Sequence, residues 1–159
     1  KVLQNLLREQ VSIRDTLTIF ETLADEGGRT KDLDLLTEAV RKQLSRLITT
    51  KFSSENGEMA VMTLEPKLEE VISSSLLQTE QGVQLVMDPH SASKMISNIA
   101  SQIENHPEIA GQPILLTSPT LRRHLYKLVS RFIPQLVVLS HGEVSADVQV
   151  QSVASVSLV

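Results

Sequence analysis

The hydrophobic period of this chain changes once, at the polar cluster Ser53-Ser54-Glu55-Asn56-Gly57-Glu58. Before the cluster, apolar residues recur at i, i+3 and i+4, the spacing of helices with one buried face. After it, short apolar runs alternate with helical stretches, the pattern of strands connected through helices. A chain of 159 residues can bury a substantial core, and this change of period divides it between two kinds of packing. The reading is α/β overall: a small all-helical subdomain over 1–52, a linker over 53–58, and an α/β subdomain with a mixed sheet over 59–159.

In the first part Val2, Leu3, Leu6 and Leu7 form a short helical stripe. Ser12 and Asp15, three apart, resemble a capping box with Asp in place of Glu. The helix that follows should bury Ile13, Leu17, Phe20, Leu23 and Ala24 and end at Gly27-Gly28. Asp32 should cap one long helix with Leu33, Leu36, Val40, Leu44, Leu47 and Ile48 inward and Arg41, Lys42 and Arg46 outward.

In the second part Met59–Leu64 reads as a strand, and Glu65-Pro66 opens a helix. Residues 78–84 read as a loop. Asp88-Pro89 starts a helix that His106-Pro107 stops. Pro113–Thr117 is a short apolar strand; Ser118-Pro119 opens a helix with Leu121, Leu125, Leu128, Val129 and Phe132 inward. Leu136–Ser140 is an apolar strand buried on both faces. Val148–Leu158 is a final strand, expected antiparallel, whose alternation slips between Val150 and Val153, as at a bulge or at a chain end.

Composition narrows the function. The 15 Lys and Arg stand against 19 Asp and Glu, a net charge of −4, with no basic excess in either part. That disfavours binding along a phosphate backbone. No Cys is present, which removes disulfides and thiolate chemistry. No apolar run reaches the eighteen residues needed to span a bilayer, and the start carries no signal-peptide pattern. Opening in mid-helix without an initiator Met, the chain reads as a piece of a longer protein.

Motifs of catalysis are missing: no phosphate-cradling glycine loop, no nucleophile elbow, no zinc helix. His90, His106, His124 and His141 share no helical ligand spacing, so they read as ordinary surface or loop histidines. Ser140-His141-Gly142-Glu143 places Ser140 and His141 on opposite sides of a strand, a poor catalytic arrangement. Arg123, Lys127 and Arg131 make a basic stripe at i, i+4 steps, with Arg122 beside it and no acid on the same helix. The stripe is either a solvated face or a dock for an acidic partner. Arg8, Glu9, Arg14 and Asp15 bracket Val11-Ser12-Ile13, at a subunit interface or fixing how the first helix meets the second. A helix-turn-helix reading of 1–50 meets Asp32, Asp34 and Glu38 on the helix that would enter DNA.

Two stretches carry a resemblance: Leu6-Leu7 followed by Glu9-Gln10-Val11-Ser12-Ile13-Arg14-Asp15 and Glu21-Thr22-Leu23-Ala24, and Pro113, Leu115-Leu116, Leu121-Arg122, Leu128, Arg131, Pro134, Leu136, Val138-Leu139-Ser140 and Glu143. Together they resemble the FlhA family, the flagellar type III export-gate component. The resemblance implies the last two of four cytoplasmic subdomains of an inner-membrane protein, held at the cytoplasmic face through a membrane part upstream. It implies a non-enzymatic docking platform without cofactor, in a ring of nine copies. Implied partners are flagellar export chaperones with their cargo and components of the export ATPase complex, with no nucleic acid. The family's chaperone-docking groove falls upstream of Lys1. The alternatives are the equivalent component of a virulence secretion system and, from a different class, a DNA-binding regulator.

Overall fold

The structure, a computed structural model, describes residues 1–158 and divides into two compact units. Unit 1 comprises Lys1–Glu58 together with Gly142–Gln149; unit 2 comprises Met59–His141 and the chain from Val150.

Unit 1 has four helices: α1 (Val2–Arg8), α2 (Thr16–Glu26), α3 (Leu33–Gln43) and α4 (Ser45–Phe52). Helix α1 closes in a Schellman arrangement: Val11 N–H donates to Leu6 O and Gln10 N–H to Leu7 O, with Gln10 at φ 63°. Val11 and Leu6 are both buried, supplying the apolar contact that usually accompanies this turn. Asp15 alone caps α2, its carboxylate accepting from Thr18 N–H (3.2 Å) and Thr18 Oγ1 (2.7 Å). Ser12 Oγ accepts instead from Arg14 N–H, so the expected Ser12–Asp15 capping box does not form. Asp32 caps α3 through Asp34 and Leu35 N–H, as its position before an apolar stripe predicts.

Two readings of this unit are corrected. Helix α2 buries Ile19 and Thr22, whereas Leu17 and Phe20, expected inside, are 69% and 58% exposed. Helix α2 packs against α3, and Leu17 and Phe20 remain in water. The long helix expected from Leu33 to Ile48 breaks at Leu44, whose φ of −93° and ψ of 17° separate α3 from α4. The two pieces still share a buried stripe of Leu36, Val40, Leu44 and Ile48.

Unit 2 is built on a four-stranded sheet of order β5-β4-β1-β6, from β1 (Glu58–Leu64), β4 (Ile114–Thr117), β5 (Val137–Ser140) and β6 (Gln149–Val156). Strands β1 and β4 pair in parallel (Met62 with Leu115), as do β4 and β5 (Leu115 with Val138). Parallel neighbours need crossovers, here containing α5 (Pro66–Ser74), α6 (Pro89–Asn105) and α7 (Pro107–Ala110) before β4, and α8 (Pro119–Val129) before β5. All four residues of β4 and of β5 are buried, the profile of strands covered on both faces. The core joins Met62, Leu68, Ile72, Met95, Ile99, Leu115, Leu125 and Val138.

Residues 78–84, expected as a loop, lie in an antiparallel hairpin of β2 (Leu76–Thr79) and β3 (Gly82–Leu85). The fold is thus α/β with parallel and antiparallel strands, the antiparallel pair being this hairpin. Strand β6 departs from the antiparallel direction expected for it. Gln149 N–H donates to Gly57 O where β1 and β6 begin, and Glu65 N–H to Val156 O where they end, so they run the same way. Strand β6 has eight residues against seven in β1, consistent with the bulge read from its slipped alternation.

Candidate functional sites

The largest buried charge in unit 1 is Arg41, on α3, 1% exposed. Its Nε donates to Glu143 Oε2 at 2.6 Å and its Nη2 to Oε1 at 3.2 Å, a two-pronged bond between planar groups. Its Nη1 lies 3.7 Å from Glu9 Oε2, an ion pair beyond hydrogen-bond reach. Glu143 sits in the 3-10 turn His141–Glu143 that follows β5. Thr49 Oγ1 from α4 donates to Glu143 O and accepts from Ser145 N–H. Lys51 Nζ donates to Gln10 O, tying α4 to the turn after α1. Arg41 was expected outside with Lys42 and Arg46; instead it shares a face with Thr37, Leu44 and Ile48.

These positions locate the first group of candidates. Arg8 and Arg14 are exposed. Glu9 faces Arg41, and Asp15 is the cap of α2, where the Thr18 hydroxyl and then its N–H hold the carboxyl below its ordinary range. Asp147 is lowered likewise, first by the Ser145 side chain, with its own backbone N–H and the Arg46 charge adding to it. All of these groups belong to unit 1.

The second group lies on α8 in unit 2, opened by Ser118-Pro119. Lys127 and Arg131 are exposed and Arg123 half-buried. Arg122, read as flanking this stripe, is instead buried, its Nη1 donating to Val138 O on β5 at 3.1 Å. Phe132, expected inside, is 63% exposed. The helix ends at Val129, and the turn after it (Phe132 and Ile133 N–H both to Val129 O) seats Ile133 in the core and leaves Phe132 outside.

Two depressions meet at Leu128. One, of about 370 Å³, is lined by Val83, Gln84, Leu85, His124, Lys127, Leu128 and Arg131. The other, of about 270 Å³ and chiefly apolar, is lined by Pro89, Ala92, Ser93, Ile96, Leu128 and Phe132. The larger depression is lined by the polar Gln84, His124, Lys127 and Arg131 beside Val83, Leu85 and Leu128. Ser140 is buried at the end of β5 and His141 is exposed. Among the described residues no cluster of His, Asp or Glu is placed to hold a metal ion. No helix among them is long and apolar enough to cross a membrane.

Comparison with known proteins finds the FHIPEP family matching residues 1–149. The chain belongs to the FHIPEP family. It is 41% identical to the flagellar biosynthesis protein FlhA of Bacillus subtilis over 99% of this chain and 23% of that protein. CdsV of Chlamydia pneumoniae superposes with a TM-score of 0.90 at 33% identity, over 98% of this chain and 45% of that one. A nonameric SctV-C from EPEC gives a TM-score of 0.85 at 31% identity, over 97% of this chain and 46% of that one. CdsV has also been solved in complex with CdsO, at a TM-score of 0.86, 33% identity, and coverage of 98% of this chain and 46% of that one. The chain thus spans about a quarter of FlhA, 23% by length, and under half of the solved CdsV and SctV-C chains.

Proposed function

We propose that this FHIPEP-family chain is part of a type III protein export apparatus, acting as a non-enzymatic scaffold and docking platform in a cytoplasmic ring. The observation that carries this reading is the family match over 1–149, joined to the nonameric assembly of a relative with the same fold. On this reading the whole protein sits at the bacterial inner membrane through a part upstream, forms a ring of nine copies, and receives chaperone-bound cargo. That CdsV has been solved in complex with CdsO supports a second partner, which on this reading comes from the export ATPase complex. The 41% identity to the flagellar biosynthesis protein FlhA of Bacillus subtilis supports a flagellar system.

Within the ring, the subdomain of residues 1–52 serves contacts between neighbours, through exposed Arg8 and Arg14, while Glu9 and Asp15 shape the segment that presents them. The α/β subdomain, 59–159, serves partner access through Arg123, Lys127 and Arg131. The test places Arg8→Glu and Arg14→Glu together in the full-length protein of a motile bacterium; Asp15 is spared because its loss would damage α2. Loss of nonamer assembly and of motility is the expected result. A normal ring with normal swimming would remove this segment from the interface.

A further inference from the structure

One edge of the four-stranded sheet stands open, and we propose that the outer side of β6 takes an extended, uncharged stretch of unfolded export cargo as a further strand. Only the origin of that stretch in cargo rests on the export reading; the strand addition stands on the edge itself.

A strand at the end of a sheet carries a row of N–H and C=O groups without a neighbour. The order β5-β4-β1-β6 makes β5 and β6 the two ends. All four residues of β5 are buried. Strand β6 differs: residues 149–152 and Ser155 are exposed. Gln149 N–H and Val156 O turn toward β1, where Gly57 O and Glu65 N–H meet them. Successive residues of a strand turn these groups to alternate edges, so those of Val150 and Ser155 point away from the sheet. Natural edges are guarded by charge, by Pro or by a cover. The run Gln149-Val150-Gln151-Ser152-Val153-Ala154-Ser155-Val156 contains no charge and no Pro. The bulge after Val150 bends the row and adds no charge to it.

Such a row selects its occupant. Main-chain groups repeating at about 3.3 Å per residue are matched by another extended backbone, the mode of strand addition. With no charge on β6, selection falls on strand propensity and low charge rather than on sign. Ala154 and Val156 belong to the core of unit 2 and Val153 packs against it, so apolar side chains opposite them extend that core. Polar side chains suit the stretch opposite residues 149–152, which is exposed throughout. A second copy fits poorly: β6 against β6 is an isologous contact that closes at two copies and cannot join successive members of a nine-membered ring. A folded partner would need an open edge of its own, whereas a chain kept unfolded for export offers extended segments along its length.

The probe is an uncharged peptide of about eight residues with Val at every second position. Two derivatives carry N-methyl groups at alternate amides, one on each edge of the peptide strand. Binding to the 159-residue chain is followed residue by residue through hydrogen exchange by NMR. The amides of Val150 and Ser155 are expected to exchange rapidly in the free chain and about tenfold more slowly with the peptide bound. The alternating Val side chains pin which edge faces β6. One methylated derivative is therefore expected to lose affinity about tenfold or more and the other to bind like the parent. Val150→Pro with Ser155→Pro removes two outward N–H groups, a change that edge strands tolerate. It is expected to weaken binding about tenfold with little change in Tm, and rising salt should leave the parent affinity unchanged.

Equal loss from both methylated peptides, or loss from neither, would overturn the proposal. So would slow exchange of Val150 and Ser155 in the free chain. Sedimentation showing that Val150→Pro dissolves a dimer would overturn it as well, since the edge would then belong to a second copy. None of these readouts depends on ring assembly or motility, so failure here leaves the platform reading standing, and failure of that reading leaves the strand addition standing.

Discussion

At the scale of single residues, the decisive pair is Arg41 and Glu143, separated by 102 positions and both nearly dry. Removing one partner of a buried pair costs roughly 3–5 kcal/mol, toward the lower end for Glu143 because Glu9 stays 3.7 Å from Arg41, whereas replacing both by apolar residues of similar volume is often close to neutral. We therefore expect Glu143→Leu alone to destabilise the chain by about that amount, and Arg41→Met with Glu143→Leu to recover most of it. Urea unfolding of the four members of the cycle measures this; additive losses would show that the pair is not coupled. Glu143 was legible only as part of a family pattern, and Arg41 was read as solvated. The signal was available, because residues 37, 41, 44 and 48 fall on one helical face. A charge on that face looks like an error of phase until its distant carboxylate is known.

At the scale of elements, the hairpin β2–β3 was missed for a physical reason. Its turn lacks an Asn-Gly or Asp-Gly pair, and Glu80-Gln81 reads as generic polar sequence. The conformational load falls one position later, on Gly82 at φ 102°, where Thr79 Oγ1 donates to Gly82 O at 2.7 Å and accepts from Gln81 N–H. Gly82→Ala should cost about 1 kcal/mol or somewhat more, since a side chain opposes that backbone angle. Circular-dichroism melts of the two proteins test it, and an unchanged Tm would mean that the turn relaxes freely. Elements with strong local signals were read well: Asp32 and Asp88 as caps, prolines at the first turns of α5, α6 and α8, and the continuous apolar runs of β4 and β5. Periodicity alone could not tell which of two apolar sides of α2 would be covered. Leu17 and Phe20 are apolar at helical spacing, but burial was decided by where α3 lies. The basic stripe was legible as a stripe; the apolar depression at Phe132 was not, because Ala92, Ser93 and Phe132 meet only in the folded chain.

At the scale of the molecule, the reading of two successive subdomains differs from the structure in one segment. Residues 142–149 follow β5 in sequence yet belong to unit 1, held through Glu143, Thr49 and Ser145. Hydrogen exchange should therefore link this segment energetically to α3 and α4. In Glu143→Gln, faster exchange is expected over 142–149 and both helices together, with β4 and β5 unchanged. Acceleration confined to 142–149 would make the segment a passive tether. The chain consequently passes between its two units three times, at 58–59, 141–142 and 149–150. Genetic exchange feels that arithmetic: a hybrid gene joined near codon 58 inherits Arg41 from one parent and the segment bearing Glu143 from the other. Relatives that have drifted at either position are then mismatched inside a unit that seems, on a linear map, to have been transferred whole.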